Sequence, residues 1–164
     1  MNLRIGHGYD VHILTEGRTL MLGCTEIPYH LGLLGHSDAD VLSHAIADAL
    51  LGASALGDIG YHFPDNSPSC KNMAGSVLLA KVCELLEKSG YEIINVDATI
   101  VAQKPRLSPY IQEMRSNTAR ALGTDIEQIN IKATTEEGRG ITGKADAMCA
   151  HAVCLISKKS EVKL

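Results

Sequence analysis

The sequence predicts an α/β fold, a single-domain layered sandwich in which roughly four strands form a mixed sheet with helices packed on one face. Three observations carry that expectation. Segments with a helical apolar period alternate with β-branched segments of period two, as layered α/β chains require. No internal repeat or low-complexity linker divides the 164 residues, so one domain spans 1–164. A chain of this length buries about two-thirds of the surface its unfolded form exposes, enough for a core without disulfide staples.

Taken in order, "LRIGHGYDVHIL" (3–14) reads as a strand. Its alternation sends Leu3, Ile5, Tyr9 and Val11 toward a core and Asp10 and His12 to the other side. "HSDADVLSHAIADALLGA" reads as a helix that begins at Ser37 and breaks at Gly52, with Asp40 completing a capping box. Residues 53–68 form a loop. "MAGSVLLAKVCELLEKSG" is a second helix closed by Gly90, and "SPYIQEMRSNTARALG" a third, with Ser108 as N-cap and Pro109 in the first turn. Strands follow from "IINVDATIVAQ", "QINIKATT" and "AMCAHAVCLIS", rich in β-branched and small apolar residues. Residues 136–146 are a loop, and the polar stretch 158–164 is a frayed tail.

Composition narrows the function. With 45% hydrophobic and 21% charged residues the chain is a packed globular domain, not a disordered one. A net charge of −4 without a basic patch excludes nucleic acid as the main partner, and no apolar run is long enough to span a membrane. The five cysteines, at 24, 70, 83, 149 and 154, contain no C-x-x-C pair, so they read as reduced, mostly buried thiols. The start "MNLRIGHG" has neither signal-peptide nor transit-peptide character, which predicts a cytoplasmic chain.

The chemistry concentrates in four places. In the first helix Asp40, His44 and Asp48 recur at every fourth position and share one stripe. A solubility stripe would use Glu and Lys, which this helix lacks, and His44 has partners in Asp10 and His12 of the preceding strand. Two imidazoles and a carboxylate are a zinc set. His7, His30, His62 and His151 have no comparable neighbours. His36, beside Ser37 at the predicted helix start, suits either an anion or simple capping. In "ALGDIGYHFPDNS", Asp58 stands between Gly57 and Gly60, and Phe63, Pro64 and Asp65 form a turn; the stretch is a ligand-covering lid or an ordinary surface loop. "AQKPRLSP" places Lys104 and Arg106 around Pro105, either to wrap a base or phosphate or as a solvated turn. In "KATTEEGRGITGK", Thr134 and Thr135 can donate to phosphate oxygens and Glu136 or Glu137 can hold a hard cation, although a hairpin turn with surface charges has the same composition. Spacing and composition therefore reach a metal-dependent enzyme acting on a phosphorylated small molecule.

Read together, "GHGYDVH", "LLGHSDADVLSHAIADALLGASALGDIGYHFPD", "NVDATIVAQKPRLSPYI" and "NIKATTEEGRGITGKADA" resemble the 2-C-methyl-D-erythritol 2,4-cyclodiphosphate synthase family, in order and over nearly the whole chain. The resemblance implies conversion of 4-diphosphocytidyl-2-C-methyl-D-erythritol 2-phosphate into the cyclic diphosphate with release of CMP, in non-mevalonate isoprenoid synthesis. It implies a homotrimer with active sites between subunits, and a cytoplasmic setting in bacteria or a stromal one in plastids. Zinc, or another divalent transition metal, would be bound by Asp10, His12 and His44, and Mg²⁺ or Mn²⁺ at Glu137, with Asp48 supporting the metal ligands. By the same matching, His36 and Ser37 would contact the methylerythritol phosphate, Asp58 and Gly60 its diol, and Phe63 and Asp65 the substrate. Ala102, Lys104, Pro105, Arg106, Leu107 and Ala133 would frame the cytidine, Thr134 and Thr135 would touch its phosphates, and Glu137 and Lys144 would also contact the substrate. The chain departs from the family pattern at Ile141 and Lys144, where an aromatic residue and an Arg usually line the central channel, and at Glu136, usually Thr or Ser. The rival readings are a metal-dependent phosphohydrolase, which would release separate phosphates, and a trimeric binding module without chemistry.

Overall fold

The computed structural model describes residues 2–64 and 73–159. Strand β1 (Leu3–Thr15) is followed by a small hairpin, β2 (Leu20–Leu22) and β3 (Thr25–Ile27), and by the two-residue strand β4 (Gly32–Leu33). Helix α1 (Val41–Ala53), the single turn α2 (Ile59–His62) and helix α3 (Gly75–Lys88) lead to β5 (Tyr91–Val101). Then come α4 (Ile111–Leu122), β6 (Ile129–Thr134), the single turn α5 (Gly140–Gly143) and β7 (Ala147–Lys158). The main sheet has five strands, not four, in the order β4-β1-β7-β5-β6. The extra member, β4, is too short to leave a periodic signal. β5 and β6 run parallel, joined by the α4 crossover that parallel pairing demands, and the other pairs are antiparallel. The strand β7 continues through Lys158, the first residue of the stretch read as a tail.

The expected orientation of β1 is reversed. Ile5 is 73% exposed and Ile13 61%, with Leu3, Tyr9 and Val11 also exposed, while the opposite face of the strand packs on α1. Alternation defines two faces but does not say which one a helix covers. Gly6 and Gly8 decide it: a Cβ on Gly8 would lie 1.9 Å from the Ala45 carbonyl oxygen, and one on Gly6 1.8 Å from that of Ala49. Only a strand bare of side chains at both positions lets α1 come this close. Asp10 and His12 thus share the helix-facing side of the sheet, beside His44.

Helix α1 starts at Val41, not Ser37, and runs through Gly52 to Ala53. Asp40 is its N-cap and is completely buried. Its Oδ1 accepts from the backbone N–H groups of Gly23, Leu42 and Ser43 at 2.9, 3.2 and 3.1 Å, and its Oδ2 from Cys24 N at 2.7 Å and Ser43 Oγ at 2.6 Å. One carboxylate therefore ties the β2–β3 turn to the start of the helix that carries His44. Asp40→Ala strands these donors in the core, and we expect it to cost about 3 kcal/mol or more, read as a lowered urea midpoint. The third helix likewise starts late, at Ile111 with Tyr110 as N-cap, because Ser108 and Pro109 are used in a preceding turn. Gly90 and Gly123, at φ 76° and 64°, follow α3 and α4 as anticipated for left-handed helix ends.

Candidate active site

Asp10 and His12 project from β1 and His44 from the first turn of α1. Asp10 Oδ2 lies 2.8 Å from His44 Nδ1 and 3.0 Å from His12 Nε2, and the two ring nitrogens are 3.2 Å apart. Three donor atoms thus form one small triangle, the only such group of three or more among the described residues. The other nitrogen of His12 donates to the Leu34 carbonyl at 2.8 Å, which fixes the ring and turns Nε2 toward the triangle. Ser37 Oγ sits 3.3 Å from His44 Nε2 and also accepts from Ala39 N at 2.9 Å, so Ser37 orients the ring from outside.

The triangle fits a tetrahedral ion. With metal–ligand bonds of about 2.0–2.1 Å, the edges of such a tetrahedron measure roughly 3.3 Å, close to the sides observed. Two imidazole nitrogens and a carboxylate oxygen suit zinc, and the fourth vertex faces an open cavity of about 600 Å³. Burial alone would raise the Asp10 carboxyl, but hydrogen bonds from His12 and His44 outweigh it and hold the group well below the usual carboxylate range. Burial alone would lower His44, and the Asp10 hydrogen bond and charge lift it above the ordinary imidazole value instead.

Of the residues named from sequence, His36, Ser37, Gly60 and Phe63 line the same cavity as the triangle. Asp58 does not; its carboxylate caps α2 by accepting from Tyr61 N at 2.8 Å. Asp48 bonds neither metal-site histidine. Its Oδ1 accepts from Ile59 N at 2.8 Å, so it anchors α2, the turn that roofs the cavity. His36 exposes its ring in the loop before α1, and the helix N–H groups expected to meet an anion there are already taken by Asp40. Asp65 lies outside the described residues. Sequence reasoning missed Ile59, Met73 and Leu78 on the apolar wall, since the last two come from a distant segment, and Arg18, which donates to the Ser37 carbonyl. Gly35 was within reach of inference, next to His36: a Cβ there would crowd His12 Cε1 at 3.3 Å.

A second group forms where the parallel strands β5 and β6 end side by side, the place where open α/β sheets hold ligands. Val101 pairs with Thr134, and Ala102 N donates to the Thr134 carbonyl at 3.0 Å. Lys104 and Arg106 are exposed around a cis bond to Pro105, while Ala102 and Leu107 are buried beneath them. Thr134, Thr135 and Glu137 are exposed, and Thr135 Oγ1 donates to Glu137 Oε1 at 3.0 Å. Glu136 is engaged by the Thr142 hydroxyl. Ile141 and Lys144 are exposed on the α5 turn. None of this group lines the first cavity.

The remaining functional types divide. His62 donates to the Leu56 carbonyl at 2.8 Å, a structural contact. Burial pushes Cys24 and Cys83 up to about 12 and Cys154 to about 11, which keeps these thiols protonated and unfit as nucleophiles. His7 and His151, without neighbours in the linear sequence, lie together on the outer face of the sheet.

Residues 3–157 match the model of the YgbB family. The chain is 59% identical over 157 residues to the 2-C-methyl-D-erythritol 2,4-cyclodiphosphate synthase of Clostridium novyi, covering 96% of this chain and 100% of that protein. Its counterpart from Trichlorobacter lovleyi is 58% identical over 154 residues, covering 94% and 98%. Among solved structures, a 2C-methyl-D-erythritol-2,4-cyclodiphosphate synthase in its CDP-bound form superposes with a TM-score of 0.87 at 34% identity, covering 94% of this chain and 100% of that one.

Proposed function

This chain belongs to the YgbB family and, within it, to the 2-C-methyl-D-erythritol 2,4-cyclodiphosphate synthases, and from that membership we propose how its residues share the work. It converts 4-diphosphocytidyl-2-C-methyl-D-erythritol 2-phosphate into the 2,4-cyclodiphosphate and CMP, a cyclising step of non-mevalonate isoprenoid synthesis. An oxygen of the 2-phosphate attacks the β-phosphorus, the bond from that phosphorus to the bridging oxygen breaks, and CMP leaves with the electron pair. No protein nucleophile takes part. Intramolecular attack gains from effective molarities on the order of 10⁵ M or more when the reacting groups are held in line, so positioning is the chain's main task.

Asp10, His12 and His44 would hold zinc and Glu137 magnesium or manganese, and bound there the cations supply charge that screens the repulsion between the phosphates. The observation that carries this reading is the donor triangle opening into the cavity. His36 and Ser37 orient the 2-phosphate beside the triangle. The α2 roof, anchored by Asp48, keeps bulk water from the β-phosphorus and so favours the ring over hydrolysis. Thr135 sets the direction of the Glu137 carboxylate, and Lys104, Pro105, Arg106, Leu107, Ala102 and Ala133 frame the base. Glu136, engaged by Thr142, leaves the divalent role to Glu137.

The two groups lie on one row of the sheet. Asp10 pairs with Ala150, Ala150 with Ile100, and Ile100 with Ala133, three strand spacings or roughly 14 Å apart. That separation, together with the exposed apolar face of β1, supports a homotrimer in which a neighbouring copy brings its cytidine-binding group to this chain's triangle. No helix among the described residues is long and apolar enough to cross a membrane, and the bacterial relatives support a cytoplasmic setting.

The direct test is ³¹P NMR of the zinc-loaded protein with the cytidylyl substrate, with and without Mg²⁺. A coupled cyclic-diphosphate pair with stoichiometric CMP is expected; separate phosphates would identify a hydrolase. A second measurement follows from His44. A proton on His44 competes with the ion, and because its titration lies above the ordinary imidazole value, zinc affinity should rise with pH through that titration and level off above it. Asp10 stays ionised throughout. Competition titrations from about pH 5.5 to 8.5 that gave a flat affinity would remove His44 from the ligand set.

A further inference from the structure

The antiparallel register of β1 on β7 pairs His7 with Val153 and Tyr9 with His151. His7 and His151 are therefore diagonal neighbours on the outer face of the sheet, the side away from α1. His151 Nδ1 and His7 Nε2 lie 3.5 Å apart, with ring centroids at 5.7 Å. Tyr9 packs against the His151 ring at 4.8 Å and limits its rotation. Both histidines are exposed, on a face otherwise made apolar by Ile5, Val11 and Val153.

We propose that the His7–His151 pair is a second metal site, separate from the Asp10–His12–His44 triangle, that chelates a divalent transition cation of the nickel, copper and zinc group. A separation of 3.5 Å is at the outer limit of a hydrogen bond and gives the rings little direct attraction. The same separation subtends about 117° at an ion bound through two bonds of about 2.05 Å, close to the tetrahedral angle. The donor chemistry points the same way. Two imidazoles with no carboxylate are a poor site for Mg²⁺ or Ca²⁺ and a good one for Ni²⁺, Cu²⁺ or Zn²⁺. The site is also prearranged, since both rings stand on a pair of strands held by a continuous backbone ladder from Leu3 to Ile13. Strand alternation keeps it apart from the triangle: Asp10 and His12 point to the helix side of β1, His7 to the other. The remaining coordination positions go to water or to the same rings of neighbouring copies.

The experiment is a calorimetric titration of the full chain with Ni²⁺ alone, after the triangle has been filled with zinc and excess metal removed. Wild type should take up as much as one Ni²⁺ per chain. His7→Ala and His151→Ala should each weaken that uptake by roughly tenfold or more, a Val153→Ala control should not, and circular dichroism should show all three folded. His44→Ala should keep the Ni²⁺ site while losing the zinc one. Unchanged Ni²⁺ binding in both His7→Ala and His151→Ala would overturn the proposal, and so would Ni²⁺ binding that disappears in His44→Ala. Cyclisation by His151→Ala, measured in parallel, reads the synthase assignment independently of this site.

Discussion

Replacing His44 with Ala should lower turnover by roughly 10³-fold or more, the loss that follows when about 4 kcal/mol of charge stabilisation is removed from the transferring phosphates. The geometry makes this ring the keystone of the site. His44 Nδ1 is 2.8 Å from Asp10 and 3.2 Å from His12, and it is the one donor of the triangle supplied by α1. Without it Asp10 and His12 remain as two donors on one strand, too few for a site that normally offers three protein ligands. Zinc content by elemental analysis should fall with CMP release. His44→Gln, which preserves bulk and part of the polarity, separates loss of the ligand from loss of packing: it should melt near wild type yet remain unloaded. Full turnover by a variant with no bound zinc would overturn the assignment of the triangle.

Gly8→Ala should be, with the matching change at Gly6, among the most damaging single-methyl changes in the described residues, lowering stability by roughly 3–5 kcal/mol and the melting temperature by about 10 °C. The new Cβ would meet the Ala45 carbonyl oxygen at 1.9 Å and Ala49 N at 2.7 Å, both helix backbone that cannot rotate away. Helix α1 must withdraw from β1, and the fully buried Leu42, Ile46 and Leu50 lose their packing as it moves. The same displacement would pull His44 from Asp10 and His12, so zinc affinity should fall along with stability. A melting temperature within about 2 °C of wild type would show that the strand and helix part more freely than their contact implies.

Much of this organisation is legible in the sequence alone. Helices α3 and α4 carry strong apolar periods, α1 is apolar on most of its circumference, and the long strands β1, β5, β6 and β7 carry β-branched runs, so their existence followed from local physics. Helix starts did not, because Asp40 draws its capping partners from Gly23 and Cys24, and Ser108 sits in a turn whose geometry is local but not periodic. The donor triangle could be picked out because Asp10, His12 and His44 are the residue types that a metal site demands. What stayed hidden was set by contacts distant in sequence: the side of β1 that faces the helix, the attachment of Asp48 to the roof, and the meeting of His7 with His151. Alternation and spacing describe one segment at a time, whereas each of these depends on which segment lies opposite.

The register that joins Leu3 to Ser157 also governs when the protein can come into being on the ribosome. The platform for Asp10 and His12 has β7 as its inner neighbour, and β7 is the last strand to be synthesised. Until it emerges, β1 and α1 can make contact but β1 has no partner between itself and β5, and their apolar surfaces stay open to solvent. Sheets closed by such distant pairings carry high contact order and fold slowly. Completion of the platform for Asp10 and His12 therefore waits for β7, and a nascent chain stalled before residue 147 should depend on chaperones to avoid aggregation.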